Sequence, residues 1–204
     1  MIYKGESNLY RAILIGFYPL LKILWNPLVN GTENIPPDGG AILVCNHRSL
    51  WDPVELGFVV KCRQVYYMAK AELFKIKVFG WFLRKINGFP VNRHTADISS
   101  IKNALKITSA GHMFGIFPEG TRTRKSEMLP FQKGISGIAL RANVPIIPAF
   151  IQRKRFRGRL VISFGKPINL NSIITDIPKH EQIDWVTDYL QNAVKLLGEA
   201  NRRV

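Results

Sequence analysis

Residues 43–54 read LVCNHRSLWDPV, and the rest of the chain is read outward from them. The apolar run AILV at residues 41–44 brings the backbone up as a buried strand, which stops at Asn46 and His47. Asp52 follows five residues after His47, with Pro53 directly behind it. Asp-Pro-Val-Glu is a helix start: Asp52 caps, Pro53 fits the first helical position, and Glu55 closes a capping box. The spacing sets His47 at a strand end and Asp52 at the mouth of the next helix, one tight turn apart. A carboxylate beside a histidine fixes its tautomer and stabilises the imidazolium, which makes a general base. The stretch reads equally well as a helix cap beside an ordinary turn histidine. Residues further along the chain separate the two readings.

The chain of 204 residues is long enough for one well-filled domain. Its apolar fraction is 47%, with 12 Phe and 4 Trp, which is greasy for a freely soluble protein. Lys and Arg number 29 against 14 acidic residues, a net charge of +15. That imbalance speaks about partners: nucleic acid, an anionic membrane surface or acidic substrates. Cys45 and Cys62 show neither CxxC nor zinc spacing. This argues against a metal or disulfide framework and for a reducing compartment.

Residues 1–32 stand apart. Residues 12–21 (AILIGFYPLL) are uncharged, and ILWNPLVNG continues at 23–31, but neither piece reaches the ~20 apolar residues that span a bilayer. Pro19 and Pro27 interrupt any single long helix. The pattern predicts two short amphipathic helices attached to a membrane interface, with Tyr10, Tyr18 and Trp25 at headgroup depth. A helical hairpin covering the core is the plainer alternative. From residue 33 to 204 the chain alternates. Strands are expected at 41–45, 64–69, 88–92, 113–117, 144–151 and 159–164, the last at a sheet edge. Helices are expected at 53–60, 72–86, 95–109, 134–142 and 180–201. This is the pattern of a single α/β domain with a mostly parallel sheet flanked by helices. Ligands of such folds bind beyond the carboxyl ends of the strands, where the His47 turn falls.

Two further strand ends carry conspicuous residues. VNR at 91–93 follows one, and PEGTR at 118–122 follows another. A glycine between Glu119 and Thr121 lets backbone N–H groups approach an anion, and the planar forks of Arg93 and Arg122 suit a phosphate. A lone arginine at a strand end is commonly just solvated; three polar clusters at one end of a sheet are harder to dismiss. Pro145 and Pro148 in VPIIP suit a sheet edge or a pocket wall.

NHRSLWDP at 46–53 resembles the His-x4-Asp box of the glycerolipid acyltransferases. GFPVNR at 88–93, FPEGTR at 117–122 and VPIIP at 144–148 resemble that family's second, third and fourth boxes, in the same order. The chain is most similar to the compact bacterial 1-acylglycerol-3-phosphate acyltransferases, although Phe89-Pro90 stands where an Ile-Phe type pair is common. The resemblance covers about half the chain. It implies transfer of a fatty acyl group from an acyl thioester to the sn-2 hydroxyl of 1-acylglycerol 3-phosphate, giving phosphatidic acid. His47 would be the general base and Asp52 its partner. Arg93 and Arg122 would hold the phosphate, with Gly120 and Thr121 shaping that site and Glu119 orienting an arginine or a substrate hydroxyl. Lys70 resembles a further phosphate-binding position, and Pro145 and Pro148 would wall the pocket. No metal or cofactor is implied, only acyl-coenzyme A or acyl–acyl carrier protein as co-substrate. The implied partners are lysophosphatidic acid and an anionic membrane, on whose cytoplasmic face a monomer would sit peripherally. The boxes leave open glycerol 3-phosphate or another lysophospholipid as acceptor. The runner-up is a non-catalytic protein that binds anionic lipid at the membrane surface.

Two rival readings were weighed. An acyl-cysteine at Cys45 would also move acyl groups, but residues two apart on a strand have Cα atoms roughly 6.5–7 Å apart, too far for direct thiol–imidazole contact. The basic run RKRFRGR at 153–159 suggests nucleic acid, yet no RRM, KH or helix-turn-helix pattern accompanies it. No nucleic-acid partner is expected, and the run fits anionic headgroups or an acidic carrier better, with a solvated turn as the bland alternative.

Overall fold

The computed structural model describes residues 27–60, 62–85, 88–91, 98–123, 127–153 and 160–202, together with residues 16, 19, 22 and 23. Its seven strands form one sheet: β1 (Leu28–Asn30), β2 (Ala41–Cys45), β3 (Val65–Lys70), β4 (Gly88–Val91), β5 (Met113–Ile116), β6 (Ile146–Arg153) and β7 (Leu160–Phe164). Their order is β1-β7-β6-β2-β5-β3-β4. Every pairing is parallel except β6 with β7. Five α-helices accompany them among the described residues: α1 (Asp52–Val59), α2 (Lys77–Lys85), α3 (Ile98–Ser109), α4 (Gly134–Ala142) and α5 (Gln182–Arg202). No described helix is long and apolar enough to cross a membrane.

β2 is apolar and buried at every position because it lies mid-sheet with both faces covered. Its alternate residues feed two cores. Ile42 and Val44 pack with Phe114, Ile146 and Phe150 against α3, α4 and α5, through Ala104, Ile107, Ile135, Ile138, Val186, Leu190 and Val194. Leu43 and Cys45 face the other way, among Tyr67, Ile147, Ile151 and Ile162, and are covered by Leu56, Val59 and Val60 at α1. The register sets Val44 beside Ile116 and Cys45 beside Ala149, so the carboxyl ends of β2, β5 and β6 sit together.

Three sequence expectations change. Residues 28–30, read as the tail of the membrane-attachment segment, pair in parallel with β7, and Asn30 Nδ2 donates to Ser163 Oγ at 3.3 Å. The α/β domain therefore starts before residue 33. β7 is not an edge strand: it lies between β1 and β6, buried along its length, and its one polar residue, Ser163, donates to Asn201 Oδ1 on α5 at 2.7 Å. The helix expected at 72–86 is broken: Ala71–Lys75 is a 3₁₀ turn, Ile76 is extended, and α2 follows. Across the break the backbone passes close to itself: a Cβ added at Gly80 would sit 2.4 Å from the Phe74 carbonyl oxygen. The helical pair expected before residue 28 lies outside the described residues, apart from the four isolated positions.

At the opposite end of the sheet from His47, the Arg63 guanidinium donates to the carbonyls of Pro36, Asp38, Gly39 and Gly111, tying the approach to β2 to the approach to β5. Arg63→Met strands these acceptors and is expected to lower unfolding free energy by about 2–3 kcal/mol. Denaturant titration checks this, and an unchanged midpoint would show the strap to be dispensable.

Candidate active site

His47 stands two residues past the end of β2, on a turn that the sheet itself holds up. The Asn46 side chain does the work of a strand: its Oδ1 accepts from Ile151 N at 2.7 Å and its Nδ2 donates to Ile151 O at 3.0 Å. This carries β2–β6 pairing past the last strand residue. Asn46 is fully buried, and an amide there has one donor and one acceptor to match a peptide's own.

His47 and Asp52 meet as the spacing predicts. His47 Nδ1 lies 2.8 Å from Asp52 Oδ2. The same oxygen accepts from Arg48 N at 2.6 Å and Ser49 N at 2.7 Å. A carboxylate facing Nδ1 puts the proton there and leaves Nε2 unprotonated. Among the described residues Nε2 has no partner. The ring is stacked on Phe117, with centroids 4.3 Å apart and planes 22° apart, and Phe117 stacks in turn on Tyr67. These contacts lock the imidazole in place.

The capping box does not form. Trp51 occupies the cap position without a side-chain cap bond, and Asp52 is the first helical residue, with its carboxylate turned back into the preceding turn. Glu55 is drawn off by Arg153, whose Nη2 lies 2.6 Å from each Glu55 oxygen and 3.4 Å from Asp52 Oδ1. Burial pushes the Glu55 carboxyl up from its ordinary value, and the Arg153 hydrogen bonds and charge oppose this. Arg153, read as the head of the basic run 153–159, is thus tied to the two carboxylates, and residues 154–159 lie outside the described residues.

Glu119 is placed differently from its expected role. It is buried, and its two oxygens accept from His47 N at 2.7 Å and Leu129 N at 2.9 Å. Burial raises its pKa, against the pull of those two N–H groups. The carboxylate is a strut between the His47 turn and the 129 loop. Thr123 N closes the other side by donating to His47 O at 3.1 Å. Gly120, at φ +68°, supplies the left-handed bend that brings the loop round.

The other predicted residues are spread more widely. Thr121 and Arg122 are exposed on this same loop. Lys70, at the carboxyl end of β3, pairs with Glu72 at 3.3 Å in solvent. Arg93 lies outside the described residues. Pro145 precedes β6 at the far end of the sheet, six register positions from His47 and therefore about 20 Å away. Pro148 is buried beneath Gly165 and Leu197, on the α5 side. Cys45 is enclosed in the core, where burial first and the Asp52 charge second push its thiol well above the ordinary value; such a thiol is a poor nucleophile. A cleft of about 780 Å³ opens beside the turn, walled by Arg48, Thr123, Gln152, Arg153, Gln191 and Lys195 among others. Among the described residues no group of three or more His, Cys, Asp or Glu could hold a metal ion.

The Asn46, Glu55 and Arg153 roles escaped sequence reasoning. Asn46 carried no distinguishing signal, because Asn after a strand reads as an ordinary turn residue. Arg153 carried none, because a cation heading a basic run reads as solvated.

Comparison with known proteins identifies the family. The model of the acyltransferase family matches residues 26–152. The chain is 36% identical over 202 residues to the 1-acyl-sn-glycerol-3-phosphate acyltransferase of Bacillus subtilis, covering 96% of both chains. It is 32% identical to the protein of that name from Streptococcus pneumoniae, covering 98% of this chain and 77% of the other. The crystal structure of the 1-acyl-sn-glycerophosphate (LPA) acyltransferase from Thermotoga maritima superposes with a TM-score of 0.71 at 28% identity, covering 93% of this chain and 80% of that one.

Glu119→Gln presents an NH2 group to one of two buried N–H donors, and is expected to cost about 1–3 kcal/mol of stability. It should also cut turnover with little change in acceptor KM, because Glu119 holds the turn. A raised KM at unchanged turnover would make Glu119 a substrate ligand instead.

Proposed function

The chain belongs to the acyltransferase family, and on that premise we propose that it acylates the free hydroxyl of 1-acylglycerol 3-phosphate from an acyl thioester, forming phosphatidic acid. One observation carries the mechanism: the buried His47 Nδ1–Asp52 Oδ2 contact of 2.8 Å, which leaves Nε2 as the basic nitrogen. His47 Nε2 takes the hydroxyl proton as the oxygen attacks the thioester carbonyl. The C–O bond forms and the C–S bond breaks. The departing thiolate recovers the proton from the imidazolium, so His47 returns to its starting state. Asp52 stabilises the positive ring while it exists.

Arg122 and Arg93 bind the acceptor phosphate, with the Gly120–Thr121 backbone beside them. Arg48 and Lys195 line the adjoining cleft beside Glu127 and Glu199, and they are the cations there that could meet a phosphate of coenzyme A or of an acyl carrier's prosthetic arm. The acceptor carries one acyl chain and resides in a membrane. Exposed Leu50 and Trp51 in the catalytic turn, exposed Val78 and Trp81 on α2 and the net charge of +15 suit an anionic bilayer surface.

Two measurements test the reading. Purified protein is incubated with lysophosphatidate and labelled acyl thioester, wild type beside His47→Ala. The wild type should form phosphatidate and the variant should lose at least about 10²-fold in rate. Equal product from both would remove His47 as base; product with glycerol 3-phosphate alone would transfer the reading to that acceptor. In flotation with vesicles, binding should rise with the anionic lipid fraction and weaken with salt. Tight RNA binding with indifference to lipid would overturn the membrane assignment.

A further inference from the structure

Asp52 uses Oδ2 on His47, Arg48 N and Ser49 N, which leaves Oδ1 facing Arg153 Nη2 at 3.4 Å. The same Nη2 is 2.6 Å from both oxygens of Glu55, one helical turn beyond Asp52 on α1. Both carboxylates have fully buried side chains, and the guanidinium reaches them from the end of β6. The arrangement is a chain of alternating charge: His47, Asp52, Arg153, Glu55.

We infer that Arg153 and Glu55 form a charge-balanced brace that sets how readily the His47–Asp52 pair takes up a proton, both acting as positioning residues for the acyl transfer. The inference rests on the function proposed above and adds two residues to it. Arg153 withdraws part of the Asp52 charge that would stabilise the imidazolium. Glu55 offsets Arg153, so the dyad is neither starved of negative charge nor given too much. An interaction between unit charges a few ångströms apart, at the effective dielectric of partly buried sites, is large enough to move a titration by about one pH unit.

The groups that face His47 and its partner come from every neighbouring element. They are Asp52 and Glu55 on α1, Arg48 in the turn, Arg153 on β6, Glu119 on the loop after β5, Cys45 on β2, and, across the cleft that Arg48 and Arg153 line, Lys195 and Glu199 on α5 with Glu127 on the loop before α4. Glu119 meets the His47 peptide rather than the ring, and the Cys45 thiol is held neutral by burial. The brace is thus the adjustable charge on the Asp52 side.

The sign follows from the charges. Arg153→Gln leaves Asp52 and Glu55 without their cation, and the excess negative charge favours the imidazolium. Glu55→Gln leaves Arg153 pulling on Asp52 alone, and disfavours it. Removing both restores the balance.

The test is an NMR pH titration of histidine-labelled protein, which needs no substrate. His47 is one of four histidines and is assigned by its absence from the His47→Ala spectrum. The His47 midpoint is expected about one pH unit higher in Arg153→Gln, lower in Glu55→Gln, and close to wild type in the double variant. The acid limb of the rate profile should move with it, and acceptor KM should stay put. A midpoint that stays at the wild-type value in the single variants overturns the brace. So does a double variant displaced as far as Arg153→Gln. If Arg153→Gln does not fold, Glu55→Gln decides alone. A wild type inactive towards lysophosphatidate would count against the proposed acceptor, while the titration would still judge the brace.

Discussion

A carboxylate with no exposed surface costs several kcal/mol unless its charge is met, and Asp52 is such a carboxylate. Its needs shape the turn around it. Two consecutive N–H groups, from Arg48 and Ser49, fold inward to reach Oδ2, and the imidazole of His47 completes the set. Turn conformation, histidine tautomer and the start of α1 are thus consequences of one buried charge.

The first and third sequence boxes are one mechanical unit. The peptide of His47 has its N–H taken by Glu119 and its C=O taken by Thr123 N, so the loop after β5 grips the histidine backbone from both sides. The preceding residue, Asn46, is held from β6 by the backbone N–H and C=O of Ile151. His47 is therefore fixed by three strands' ends at once, while its ring is held by Phe117. Such restraint would serve the proposed proton acceptor, whose efficiency falls off steeply with misplacement.

What could be read from the chain, and what could not, divides along a physical line. The strand–turn–helix around His47 is local: an apolar run, a turn and Asp-Pro each carry their own signal. The alternation of strands and helices is likewise periodic, and it yielded the mostly parallel sheet. Features that arise from contacts between distant residues left no such mark. Glu119 looks like a substrate ligand in FPEGTR, because nothing local shows that its partners are backbone N–H groups of residues 47 and 129. Arg153 looks solvated beside its basic neighbours, since its partner Glu55 lies 98 positions away. β1 hides in an apolar run that suits a helix equally well, and only its pairing with β7, far along the chain, makes it a strand.

The His47–Asp52 turn meets two opposing demands with the two sides of one backbone. Its N–H groups at residues 48 and 49 point inward to a charge that must stay dry. Its side chains at Leu50 and Trp51 are left exposed, more than half of each surface open. Large apolar side chains are costly to expose to water, and a tip that displays two of them is poorly designed for a purely aqueous reaction. For a lipid acceptor the arrangement is economical. The proposed substrate has a hydroxyl that must reach His47, a phosphate for the basic loop, and an acyl chain that is best left among apolar groups. A turn that buries its polar backbone and presents leucine and tryptophan outward lets the headgroup approach the base without drawing the chain into water.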